Sequence, residues 1–199
     1  MGRQTFEAKA HTGNEGGQED ALAALLQLQS DGQRIVFLNG EVTENNIALI
    51  VAQMLHLANL NRKPITLVIS TYGGSIDEMF SLYDTIKFLP CPVHTVALGK
   101  VMSAGVLLLA SGEKGKRLMG ASGRIMIHSV SGGVYGNVFE IENQSKESRR
   151  LHDMMVKRLA RETKMSRKQI EDIMAPKLDF YLTAEKAVEL GIVDKLIGA

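Results

Sequence analysis

The chain has 199 residues, 45% apolar and 23% charged, the balance of one globular domain that can bury a core without disulfides or metals. Its 23 Lys and Arg nearly cancel its 22 Asp and Glu, so it lacks the basic surplus that nucleic acid or an anionic membrane asks of a main partner. A single cysteine, Cys91, excludes an internal disulfide and a cysteine-based zinc or iron–sulfur centre.

Residues 1–20 are polar, glycine-containing and aperiodic, which predicts a flexible segment ahead of one domain over 21–199. They carry no apolar core of a secretory signal, and the longest apolar run, Ala104–Ala110, falls far short of the ~20 residues of a membrane span. A protein of a reducing, cytoplasmic compartment is expected. Residues 21–28 are compatible with a short helix. From there strands and helices alternate. RIVFLN at 34–39 reads as a buried strand, and 44–60 as a helix with Ile47, Ile50, Val51, Met54, Leu55 and Ala58 at helical spacing. ITLVIS at 65–70 is a β-branched strand that stops at Gly73-Gly74. The next helix carries Ile76, Met79, Phe80, Tyr83 and Ile86 on one face.

A third strand is expected at 93–98, then a buried helix over 103–110 and strands at 117–119 and 124–127. The longest helix spans about 137–162. Its first half is mostly polar, and its second half sets Leu151, Met154, Met155 and Leu159 at helical spacing; a polar half-helix projects into solvent or meets another subunit. Ser166 with Gln169 forms a capping box, Thr183 caps a last helix that stops at Gly191, and 192–197 closes as a strand. Repeated strand–helix–strand units imply right-handed crossovers and largely parallel pairing. Neither a dinucleotide G-x-G-x-x-G after a strand nor a nucleotide-hydrolysing P-loop is present.

Four places could carry chemistry. Gly73-Gly74 after a strand is either a tight turn or bare backbone that offers an N–H to a ligand. Ser103, between a strand and an apolar helix, is either a helix N-cap or a hydroxyl nucleophile beside amide donors that could hold an oxyanion. His128 ends a strand, where a histidine is structural or a base. His11, His56, His94 and His152 compete with it. Asp179 lies between two expected helices, as a turn residue or an orienting acid. Together, Ser103, His128 and Asp179 supply the nucleophile, base and acid of a hydrolytic triad.

Those residues sit in ordered segments that resemble the Clp protease proteolytic subunit (ClpP) family: IVAQMLHLAN, Y-G-G-S, SLYDTIKFLPCPVHTVALG, M-S-A-G, ASGEKGKRLM, GRIMIHSVSGG and LTAEKAVELGIVDKLI. The resemblance runs over residues 34–197. It implies an α/β, ClpP/crotonase-like spiral of repeated ββα units with a protruding helical handle at about 130–163. It implies Ser103 as nucleophile, His128 as base, Asp179 as acid, and the amides of Gly74 and Ala104 as oxyanion hole. It further implies two stacked heptameric rings enclosing a chamber. No cofactor is implied in this chain, since ATP is used only by a separate AAA+ unfoldase. Substrates would be unfolded proteins or peptides. The chain departs from the family pattern at Thr71-Tyr72, where Ser-Pro is common. It departs also at Met102-Ser103-Ala104-Gly105, where Ala-Ser-Met-Gly surrounds the nucleophile, and at Ser129-Val130, where Gln-Pro follows the histidine. The segment before Asp179 is about two residues longer. A catalytically silent ring subunit is the main alternative, and such relatives usually lack a triad member. A crotonase-type acyl-CoA enzyme needs no serine nucleophile, and a Ser–Lys dyad through Lys100 would leave His128 without a role.

Overall fold

The computed structural model describes residues 33–175 and 178–198. The expected flexible segment at 1–20, the helix at 21–28 and His11 lie outside them. The elements in chain order are β1 (Ile35–Asn39), α1 (Glu44–Leu60), β2 (Ile65–Thr71), α2 (Ile76–Phe88), β3 (Val93–Met102), α3 (Ala104–Ala110) and β4 (Arg117–Gly120). They continue with β5 (Arg124–Ile127), α4 (Val138–Glu162), α5 (Arg167–Met174), β6 (Phe180–Leu182), α6 (Ala184–Glu189) and β7 (Lys195–Ile197). The fold is α/β with a mostly parallel sheet.

The seven strands form one sheet with the path β1-β2-β3-β4-β7, while β5 pairs with β3 and with β6. Every pairing is parallel except β5 with β6. Strand β3 is the pivot. Its first part pairs with β4 through Thr95, Val96 and Ala97, and its last part with β5 through Lys100, Val101 and Met102. Between them the β2–β3 register slips, with Ile69 opposite Ala97 but Thr71 opposite Val101. The extra residues on β3 form a bulge, which bends a strand and increases its twist. That bend sends the end of β3 toward β5.

All seven residues of α3 are buried, as an all-apolar helix must be, and it packs on β3, α2 and α4. Helix α1 buries Ile47, Ile50, Met54, Leu57 and Ala58. Leu55, expected on that face, is exposed, because it stands one residue and 100° away from the Met54 stripe. The caps at Ser166 and Thr183 form as expected, the first as a full capping box. The closing strand is shorter than expected. Ile192 and Val193 are buried in the turn that follows Gly191, and pairing begins only at Lys195.

Helix α4 starts at a second capping box, Asn137 with Glu140. Residues 138–150 are exposed, whereas Met155, Val156, Leu159 and Glu162 are buried at its foot. Two polar clamps hold that foot. The Tyr83 hydroxyl donates to Glu162 Oε1 at 2.8 Å, and Lys87 Nζ lies 3.1 Å from Glu162 Oε2. Burial, and then the Glu162 carboxylate, push the Tyr83 phenol up to about 12. Arg117 donates to the Glu162 carbonyl at 2.7 Å and grips Asp194 through Nε at 2.9 Å and Nη2 at 2.5 Å. Burial works to raise the Asp194 carboxyl, but the bonds and charge of Arg117 outweigh it and hold the group down at about 2.

Candidate active site

The parallel register of β3 on β5 sets Met102 opposite Met126, so the residues just past both ends meet. The Ser103 N–H donates to the Met126 carbonyl at 2.8 Å. Ser103 Oγ then lies 2.7 Å from His128 Nε2. Ser103 does not cap α3: its side chain makes no cap hydrogen bond, and its φ of 52° with ψ of −122° is not a capping geometry. It is the one non-glycine residue with positive φ among those described. For a residue with a Cβ such a conformation costs of order 1–3 kcal/mol and persists only where the surroundings impose it.

Gly73 and Gly74 supply part of those surroundings. A Cβ on Gly73 would sit 2.7 Å from Ser103 Cβ, and a Cβ on Gly74 would sit 2.3 Å from the Val42 carbonyl oxygen. The turn is pinned twice. Thr71 Oγ1 accepts from the Gly73 N–H at 2.9 Å, and Val42 bridges it by donating to the Gly73 carbonyl and accepting from Ser75 N–H, both at 2.8 Å. Thr71 is therefore the buried last residue of β2, bonded into the turn, and its partner in the departure from Ser-Pro, Tyr72, is exposed with Lys100 Nζ 4.7 Å from its ring centroid. The amides of Gly74 and Ala104 donate to no group among the described residues and line the same cavity as Ser103.

Asp179 reaches this place by a route absent from the sequence reading. It lies between α5 and α6, as expected, but that segment also holds a strand the sequence did not announce. It directly precedes β6, which pairs antiparallel with β5 and sets Phe180 opposite Ile127. Asp179 Oδ1 thereby comes to 3.6 Å from His128 Nδ1, a separation longer than a hydrogen bond. The Tyr181 hydroxyl lies 3.4 Å from the other oxygen, Asp179 Oδ2. The side chain of His128 is 28% exposed and that of Asp179 49%.

A cavity of about 300 Å³ opens on Ser103 and His128. Besides Ala104 and Val130, its apolar lining comes from the helix residues Ile76, Met79 and Met155. Sequence reasoning placed these three on core faces of helices. Only their position at the cavity rim distinguishes them, and no spacing announces it. The other candidates go elsewhere. Lys100 Nζ donates to Ser70 Oγ at 3.4 Å, His94 pairs with Glu113 at 3.2 Å, His56 is exposed on α1, and His152 stands on α4. Among the described residues no three His, Cys, Asp or Glu side chains gather in a way that could hold a metal. The described helices include none long and apolar enough to cross a membrane.

A serine hydroxyl against an imidazole, a carboxylate behind that ring and, in the same cavity, two residues whose amides are not engaged by described groups are the parts that acyl transfer uses. One family model, described as Clp protease, matches residues 18–199, a longer stretch than the 34–197 of the motif resemblance.

Proposed function

The chain belongs to the Clp protease family, a family of peptidases, and from that premise we propose that it is a serine endopeptidase with Ser103, His128 and Asp179 as its triad. The observation that carries this reading is the 2.7 Å contact of Ser103 Oγ with His128 Nε2, made by a serine held in a costly backbone conformation. In the proposed mechanism His128 Nε2 takes the hydroxyl proton as Oγ attacks the peptide carbonyl. The C–O bond to Ser103 forms, and the carbonyl oxygen becomes an oxyanion between the Gly74 and Ala104 amides. His128 then gives the proton to the leaving amine as the C–N bond breaks. Water, activated by the same ring, releases the acyl group. Asp179 would keep the proton of the neutral ring on Nδ1 and stabilise the imidazolium once it forms.

The wider reading is a cytoplasmic chamber protease of two stacked heptameric rings, fed with unfolded protein by a separate AAA+ unfoldase that alone uses ATP. The exposed first half of α4 supports the ring reading. Val138, Phe139 and Ile141 are open to solvent there, and an apolar stretch on a protruding helix suits a protein contact. A second reading, a silent ring subunit, draws on the 3.6 Å gap between His128 and Asp179. Catalytic hydrogen bonds are commonly long before substrate arrives, so the gap is compatible with an active enzyme.

The test is labelling with a fluorophosphonate probe, comparing wild type with Ser103→Ala while light scattering sizes both. Labelling of wild type alone is expected. If neither protein labels although both form large rings, the silent-subunit reading replaces the enzyme.

A further inference from the structure

A second cavity, of about 400 Å³, opens between α4 and α5. Ser129 and Val130 line both cavities and so form the wall between them. Both cavities mix apolar side chains with serines, but only the second has arginine and glutamate in its lining: α4 supplies Ser145, Ser148, Arg149 and His152, and α5 supplies Glu171 beside Met174. Ser145, then Ser148 and Arg149, then His152 recur at intervals of three or four residues, the spacing of one helix face.

The charges decide what that cavity would hold. Its one carboxylate, Glu171 on α5, is held by Arg167 Nε at 2.6 Å. Arg167 also takes up Asp153 at 3.5 Å, and Arg150 is held by Glu147 at 2.5 Å. Arg149 forms no ion pair among the described residues. Arg149 is thus a guanidinium of the cavity lining that stands outside any ion pair among the described residues, with Ser145 and Ser148 in the same lining.

We propose that this cavity is a substrate subsite for an acidic side chain, with Arg149 as its specificity-determining residue. The peptide is the one whose apolar side chain fills the Ser103 cavity, so the proposal rests on the peptidase reading. An extended peptide rises about 3.3 Å per residue and returns to the same face every second residue. Two such side chains, about 7 Å apart, straddle a wall as narrow as Ser129-Val130. A guanidinium binds a carboxylate through two parallel N–H bonds, which an amide cannot match.

The experiment measures binding rather than cleavage. The full-length Ser103→Ala protein is titrated with fluorescein-labelled peptides, in pairs differing only by Glu or Gln at one position within three residues of a leucine. At one position Glu should bind about two- to fivefold tighter than Gln, the range of a partly exposed ion pair. The preference should shrink with added salt and vanish when Arg149→Gln is introduced, while Arg149→Lys keeps part of it. Equal affinity at every position, absence of binding by all the peptides, or a preference that survives Arg149→Gln overturns the proposal. A Glu preference in a protein whose wild type takes no fluorophosphonate supports the subsite and refutes only the acyl-transfer reading.

Discussion

Replacing Asp194 by Asn should weaken the fold without touching the Ser103 site, and the size of the loss follows from the Arg117 clamp. The carboxylate accepts from Gly115 N–H at 2.7 Å and Arg117 N–H at 3.0 Å, besides the two guanidinium bonds. Its acidity moves from 3.8 to about 2, which at 1.36 kcal/mol per pKa unit is ~2.4 kcal/mol of stability. The variant also leaves Arg117, whose side chain is only 4% exposed, as a buried charge without its partner. Removing one member of a buried pair costs about 3–5 kcal/mol, so a loss of about 3 kcal/mol at pH 7 is expected. Urea unfolding at fixed protein concentration measures it. The sign with pH is defined. A lowered carboxyl stabilises the fold above its unfolded pKa, and that contribution is lost as pH falls from about 4 to about 2. Wild type should lose ~2.4 kcal/mol across that window and Asp194→Asn should not, so the two curves converge. A gap below 1 kcal/mol at pH 7, or one that fails to narrow in acid, would refute the reasoning. Fluorophosphonate labelling of the folded variant should keep its wild-type rate, since Arg117 and Asp194 contact neither Ser103 nor His128.

The strain at Ser103 has its own test. Ser103→Ala and Ser103→Gly both remove the hydroxyl, but only glycine relaxes at φ 52°. Relief of about 1–3 kcal/mol, less the ~0.4–1 kcal/mol that glycine adds to unfolded-chain entropy, should make Ser103→Gly more stable than Ser103→Ala by about 1–2 kcal/mol in denaturant melts. Equal stability would mean that the corner is not strained. At the other end of the pH scale, Tyr83 is a raised phenol whose contribution is intact below its unfolded value of 10.0 and lost as pH rises toward about 12. Wild type should therefore lose about 2–3 kcal/mol across that window, and Tyr83→Phe should show no such alkaline loss, at the expense of about 1 kcal/mol near neutrality for the missing bond to Glu162.

Much of the architecture is written in near-neighbour terms. Helix α1, the β-branched run of β2 and the all-apolar α3 follow from periodicity over a few residues, and the caps at Ser166 and Thr183 from side chains bonding amides three positions on. Such interactions are complete within one segment, so a sequence reading reaches them. The candidate residues Ser103, His128 and Asp179 were legible as residue types and by resemblance, but their roles stayed open between capping, turn and chemistry. Tertiary structure decided the geometry. The contact of Ser103 with His128 depends on the register of β3 on β5, a pairing between distant segments. The approach of Asp179 depends on β6, three residues with Phe180 and Tyr181 exposed and only Leu182 buried, too short to show a period. The positive φ of Ser103 is likewise imposed from outside, by Gly73 packed against its Cβ and by the Met126 carbonyl that takes its N–H. Local propensity opposes that conformation in a serine, and only contacts from other strands can hold it there.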